Sequence, residues 1–509
     1  MSTLTSLARA QAAERGVAQP IATVRHVHVS ERPLVFVPLS LAGEAHAPLA
    51  ALVGTDPQSP RLLVVAQPRN RDQRFAFAGE LAAVMLPYFE SCRARTEEVP
   101  VARGTQARIR FADAPQVLVP GPAGIGFVRL LGRSTRFRRT DGEFAVPGGV
   151  PLLGRWLSYL AERASHPGSC LLMAATDALS AHWASGHSHI EDLNLAALVG
   201  WIDPPAGQTG WEASAAAEDP LTWPPSGPAT DPTFDNEVLA PLITACQRAA
   251  GPAAEGRARA ALADALDGQL RPTWHLLWRA VGLLRALRPG DHVAGRWDAD
   301  KDAFTGYCDY LDEGGAPQPR RDSAVTAARR LSWLERAHAS YAAHRAFDDP
   351  LVMAEYRLAG EAFSGEVVAA EPGRVDATGR RRKLRPLITV ETGDRVLVPP
   401  GTSMRAPSRP GQSAQVISVA GPAAEDPGSP GLEGSARQVI LELSGGMGRN
   451  LTPAPGSVPQ VGERLCYTTL TDGYQPSAAF PPAEETPWTH GGPPEPYVPA
   501  DEDISEEWS

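Results

Sequence analysis

Lysine is almost missing from this chain: Lys301 and Lys383 are the only two in 509 residues. Neither follows a G-x-x-x-x-G stretch, so the phosphate-cradling loop of P-loop NTPases is excluded, and with it a helicase or ATPase motor of that class. H-E-x-x-H and G-x-S-x-G are also missing, which removes the usual anchors of zincins and α/β-hydrolases. The five cysteines, Cys92, Cys170, Cys246, Cys308 and Cys466, are dispersed, odd in number and never spaced C-x-x-C. That speaks against a zinc finger and against a disulfide framework. No run reaches the ~20 apolar residues of a membrane span. The N-terminus carries Leu4, Leu7 and Ala8 amid Arg9, Glu14 and Arg15, an amphipathic pattern rather than an apolar signal core. A cytoplasmic protein without membrane association is expected.

Abundant proline and glycine, 49 and 47 residues, call for many turns, while a 43% hydrophobic content calls for a substantial core. A chain of this length is too long for one ordinary core and reads as several domains. The net charge of −10 argues at first against a polyanionic partner. Residues 481–509, however, hold eight acidic side chains and no Lys or Arg, and without them the remainder stands at only −2. Local basic patches can then act. Arginine richness as such accompanies abundant Ala, Gly and Pro, as GC-rich coding produces, and is not read as function.

The fold class expected is multidomain: α/β, then α, then a small β-barrel, then a disordered acidic C-terminal tail. Residues 1–203 read as an α/β domain with a small sheet. Val24–Val29 alternates with period two, Leu34–Val37, Leu62–Val65 and Gln116–Val119 are apolar strand-like runs, and helical patterns cover 77–89, 125–131, 152–164, 171–183 and 190–201. Residues 204–232, rich in Pro, Gly, Ser and Ala, read as a linker. Residues 233–362 form a helical domain whose long arm helix, near 323–346, carries a stripe of Leu331, Leu334, His338 and Tyr341 that reads as core. From 363 to 474, runs such as Leu387-Ile-Thr-Val and Gln438-Val-Ile-Leu between Gly/Pro turns indicate a barrel, with Val396–Val398 as one of its strands. Residues 475–509 read as disordered.

Few residue groups carry recognisable chemistry. His182, His187, His189, Glu191 and Asp192 could supply imidazole and carboxylate ligands, but their spacing matches no standard metal site, and a polar loop that starts a helix is the simpler reading. Asp298, Asp300, Asp302 and Asp309 sit at acidic positions of an EF-hand loop. Ala303 stands where the sharp turn needs Gly, however, and acidic residues at a helix start explain them more simply. No cofactor and no resident metal are expected. The basic run Arg380, Arg381, Arg382, Lys383 and Arg385 lies between two strand patterns, with Arg405, Arg409 and Arg449 in neighbouring Gly/Pro-rich loops. Guanidinium forks in such turns suit phosphates, and the alternative is a solvated turn. Tyr467 is the main candidate for a stacking platform, so binding should be mostly electrostatic.

Two resemblances follow from these residues. The order of a helical arm with Phe347-Asp348-Asp349-Pro350, then Phe363-Ser-Gly-Glu-Val-Val, a basic turn and Arg385-Pro-Leu-Ile-Thr-Val-Glu resembles the stalk and β-barrel inserted into superfamily 1B helicases. There the barrel contacts single-stranded nucleic acid, so the resemblance implies binding without a motor. The layout from Asp56 through Leu62–Pro68 to Asp72 and Gln73 resembles the RecB-type branch of PD-(D/E)xK nucleases. Ala66 and Pro68 stand where that pattern places its metal-binding Glu and its Lys, which implies an inactive scaffold. The acidic end, Asp501 to Trp508, resembles in style the partner-docking tip of bacterial single-stranded-DNA-binding proteins.

The expected function is a non-catalytic nucleic-acid-binding or scaffold protein in DNA or RNA processing or defence. Its expected partners are single-stranded DNA or RNA and a separate ATPase or helicase, the latter through the acidic tail. The alternatives are a metal-dependent nuclease in the N-terminal domain and a purely structural partner-binding module.

Overall fold

The computed structural model describes residues 3–44, 47–100, 107–220, 222–225, 229–378, 382–421, 436–448, 450–473 and 498. The fold is mixed: an α/β sheet, a set of helices and a closed six-stranded β-barrel. It divides into two compact units, the main bodies of which are Thr5–Ala337 and His338–Pro476.

The first unit opens with α1 (Thr3–Arg15) and then builds a sheet from β1 (Leu34–Ser40), β2 (Pro48–Gly54), β3 (Arg61–Val64), β4 (Val117–Val119) and β5 (Leu172–Ala174). The order is β3-β2-β1-β4-β5, antiparallel from β3 to β1 and parallel from β1 to β5. Parallel neighbours need a crossover, and helices supply it. Helix α2 (Arg71–Cys92) lies between β3 and β4 in the chain, and α3 (Pro122–Thr135) and α4 (Val150–Arg163) lie between β4 and β5. Asn70 caps α2 by accepting from Gln73 N.

All seven residues of β1 are buried, so both sheet faces are covered. A later segment provides part of that cover: the long α7 (Pro252–Ala286) packs on β1, β2 and β3, with α5 (Leu195–Ile202) against α7 and α6 (Gly210–Glu218) against α5. Leu262, Leu266, Leu270, Trp274 and Leu277 of α7 belong to the same core as Val35, Leu52 and Val117. The stretch expected as a linker contributes α6, opened by a capping box in which Thr209 and Glu212 bond reciprocally. Segments between 29 and 199 and between 239 and 308 therefore share one interior.

Two other expectations change. Val24–Val29 forms no strand, because its amides are used elsewhere: His26 N bonds His182 Nε2 at 2.9 Å and Arg25 N bonds Arg288 O at 2.7 Å. Residues 171–183 split into β5 and a short helix, Ala175–Ser180, rather than one helix.

Helix α8 (Val293–Asp312) is anchored to the segment that leads into β5 through Asp300, which is 1% exposed. Its carboxylate accepts from Arg163 Nη2 at 2.9 Å, Ser169 Oγ at 2.7 Å and Cys170 N at 2.6 Å. Every cysteine is a free thiol, and burial pushes Cys92 and Cys308 up to about 12. Helix α9 (Ala324–Asp348) is less buried than its pattern suggests: Leu331 is 58% exposed, and only Ala343 and Ala346 are buried. The stripe at Leu331, Leu334, His338 and Tyr341 is not core. No helix among the described residues is long and apolar enough to cross a membrane.

The second unit carries α10 (Pro350–Ala359), capped by Asp349. Its strands are β6 (Ala362–Glu371), β7 (Val375–Asp376), β8 (Lys383–Leu384), β9 (Leu387–Thr392), β10 (Ser403–Arg405), β11 (Ser413–Ala420), β12 (Arg437–Ser444) and β13 (Arg464–Thr468). The barrel closes in the order β6-β9-β12-β11-β10-β13, every pair antiparallel. Alternate residues point inward, with Val367, Ile388, Val390, Val416, Val439 and Leu441 in its core. Gly365 lets β6 cross close to β9, since a Cβ there would stand 2.2 Å from Glu391 O. Val396–Val398 forms no strand, although Val396 and Val398 are buried, whereas β10 and β13 supply strands that the apolar pattern did not mark.

Replacing Asp300 with Asn should cost about 3–5 kcal/mol of the stability of the first unit, because it leaves Arg163 without its buried counter-charge. Urea unfolding of the full chain, followed by tryptophan fluorescence, checks this. A loss under about 1 kcal/mol would mean that Arg163 is satisfied without Asp300.

Candidate nucleic-acid interface

The basic run sits where its strands place it. Strands β7 and β8 pair antiparallel, Val375 opposite Leu384 and Asp376 opposite Lys383, so Lys383 stands on one arm of a hairpin inserted between barrel strands β6 and β9, and residues 377–382 connect the arms. Arg382 and Lys383 are exposed, whereas Arg380, Arg381 and Arg449 lie outside the described residues. At the start of the turn, Asp376 Oδ1 accepts from Thr378 N at 2.9 Å and Thr378 Oγ1 at 2.7 Å. These bonds, the side-chain one foremost, hold the Asp376 carboxyl below its usual range.

The base of the hairpin is tied to the barrel by one carboxylate. Arg374 Nη1 donates to Glu442 Oε2 at 2.6 Å and to Arg385 O at 2.9 Å, while Arg385 N donates to Arg374 O at 2.9 Å. Arg385 Nε stands 3.6 Å from Glu442 Oε1. Glu442 on β12 therefore serves both arginines and fixes where the hairpin leaves the barrel. Arg374 and Glu442 were not marked in the sequence, because isolated single charges carry no pattern.

The other expected phosphate ligands divide. Arg405 lies half-buried on β10. Arg409 is committed inside the unit: Nη1 donates to Gly456 O and Ser457 O at 3.1 and 3.2 Å, and Nη2 to Glu463 at 2.7 and 2.9 Å. Its role is to tie two loops together. Tyr467 is 1% exposed and packs against Phe363 inside the barrel, with ring centroids 5.8 Å apart. Those two are the only aromatic residues between 363 and 473 in the sequence. The barrel thus offers no stacking platform, and Tyr467 is corrected from platform to core.

The remaining candidate groups also find places. Asp298, Asp300 and Asp302 lie on continuous helix α8, not in a cation loop. Asp298 pairs with Arg110 and Lys301, each at 2.8 Å, and Asp302 with Arg108 at 2.6 Å. Asp56 sits in the turn between β2 and β3 and bonds Gln58 N, whereas Ala66 and Pro68 follow the far end of β3 and Asp72 begins α2. Among the described residues neither Asp56 nor Asp72 joins a cluster of three potential metal ligands. Gln73 Oε1 accepts from Gln67 N at 2.8 Å, a local clasp between the segment after β3 and the first turn of α2.

No family model, no curated protein and no solved structure matches this chain.

Glu442→Gln should loosen the hairpin base by roughly 1–2 kcal/mol, since both arginines lose their shared anion in a partly exposed setting. Hydrogen exchange checks it, with faster exchange at the Arg385 amide expected while the barrel amides of β9 stay protected. Unchanged exchange at Arg385 would show that backbone pairing alone holds the hairpin.

Proposed function

We propose that the hairpin Val375–Leu384 is an electrostatic contact for single-stranded DNA or RNA, and that the protein is a non-catalytic binding or scaffold component acting with a separate helicase or ATPase. The observation that carries the reading is a basic run joining the arms of a short hairpin whose base is clamped to a closed barrel through Glu442. The clamp holds the arms that flank these cations in place, which lowers the ordering cost of engaging a phosphate chain. With both barrel aromatics buried, affinity rests on charge and tolerates sequence. The likeness to the helicase stalk and barrel points the same way, and the acidic tail 475–509, which apart from Val498 lies outside the described residues, is the proposed docking segment for the motor. The nuclease alternative draws no support from the separated Asp56 and Asp72.

The test is binding of unrelated single-stranded oligonucleotides by fluorescence anisotropy across a salt series. Arg381, Arg382 and Lys383 together changed to Ala should weaken every sequence similarly. The slope of log K against log salt should flatten by roughly 0.7 for each phosphate pairing removed. Stability should shift by no more than ~0.5 kcal/mol. The comparison is repeated in a chain ending at Gln475, since the acidic tail can compete for the same cations. No binding by that shorter chain at low salt, or an unchanged slope in the triple variant, would replace this reading with the structural-partner one.

A further inference from the structure

Of the five side chains between 182 and 192 with ligand chemistry, three are already occupied or set apart. His182 is fully buried, with Nε2 taking the His26 amide and Nδ1 lying 2.6 Å from Ala178 O. Asp192, 1% exposed, accepts from Ser185 Oγ and from Arg9 Nη2. His189 is exposed and lies outside the cluster that remains. That cluster is His187, Glu191 and Glu218, whose ligand atoms all lie within 4.8 Å of one another. Glu218 ends α6 and is brought in only by the fold.

The position of the His187 ring is fixed on several sides. Its amide donates to Ser185 Oγ at 3.1 Å and its carbonyl accepts from Arg9 of α1. The ring stands edge-on to Trp201 and Trp211, with centroids 5.3 and 5.7 Å away. Gly186 permits that seat, because a Cβ there would lie 2.4 Å from Trp201.

Ser214 Oγ lies 3.1 Å from Trp211 O and 3.2 Å from His187 Nε2, so Nε2 has a polar neighbour. Nδ1, by contrast, is buried with no hydrogen-bond partner in a residue 9% exposed. It faces Glu218 Oε1 at 3.8 Å. Glu191 is held in place by the Ser188 amide, which donates to its Oε2 at 2.7 Å. Three atoms with ligand chemistry thus lie within 4.8 Å of one another, one of them a buried imidazole nitrogen that has no hydrogen-bond partner.

We propose that His187 Nδ1, Glu191 and Glu218 form a divalent-cation site of the zinc type, completed by water, that staples the end of α6 to the loop 185–191. An imidazole nitrogen with two carboxylates suits Zn²⁺ or a neighbouring transition metal rather than Ca²⁺ or Mg²⁺, which prefer all-oxygen shells. With a metal on Nδ1, Nε2 would carry the proton and donate to Ser214 Oγ, the outer contact that such a ligand ordinarily makes. The site lies outside the barrel and does not depend on the nucleic-acid reading.

The test uses the untagged full chain, freed of metal by chelator and titrated with Zn²⁺ by calorimetry, with Cys246 and Cys466 changed to Ser to remove competing thiols. One saturable site is expected, with a rise in the thermal midpoint. Glu218→Gln, an exposed change that leaves folding intact, should weaken binding by at least about tenfold and abolish the thermal shift. His187→Gln, which keeps a donor to Ser214, should do the same. Absent saturable binding, or binding equal in the parent and both variants, would overturn the proposal.

Discussion

Strand β1, Leu-Val-Phe-Val-Pro-Leu-Ser, exposes none of its residues, and its burial sets the requirements for most of the first unit. A strand hidden on both faces needs helices on both sides of its sheet. Part of that cover comes from far along the chain, where α7 packs on β1, β2 and β3 and α5 packs in turn on α7. Trp274 shows how closely they are fitted: it is fully buried, and its Nε1 donates to Pro57 O in the turn after β2 at 2.9 Å. Much of the stretch from 204 onward therefore belongs to the interior architecture.

In the second unit closure does the equivalent work. A barrel of short strands hides its edges by pairing them in a ring, so its wall leaves no open strand edge to recruit another chain. An insertion between neighbouring strands can then leave the wall without unravelling it, provided something holds its base. Glu442, half-hidden on β12, does so: Arg374 donates to it at 2.6 Å and the Arg385 guanidinium stands 3.6 Å away.

How much of this could be read beforehand depended on the kind of signal. Apolar runs such as Leu34–Val37 and Leu387–Val390 mark strands because burial on a pleated surface demands them. Pro48–Gly54 was missed because Ala50 and Ala51 carry weak strand character, and the pairing with β1 decides the matter. Val24–Val29 alternates correctly, yet its amides find a histidine ring and a distant carbonyl, which no local pattern reveals. The basic turn was legible as a contiguous charge run. Glu218 was not, because it meets His187 only through the packing of α6, and Arg409 looked available because its partner Glu463 lies far along the chain. Contacts that close over long sequence separations are where single-chain reading ends.

The five reduced thiols give the molecule a built-in clock. Cys92 and Cys308 lie in the first core and Cys466 in the barrel unit, each with its acidity suppressed by burial, to about 12 for the first two and about 11 for the third. A thiol whose ionisation is suppressed by burial reacts slowly with alkylating reagents while its surroundings stay closed, and faster when they open. The rate at which each cysteine is capped is therefore a record of how often its own unit breathes. Because the sites fall in different units, one pulse of reagent followed by peptide mass analysis times the two separately, with no engineered probe.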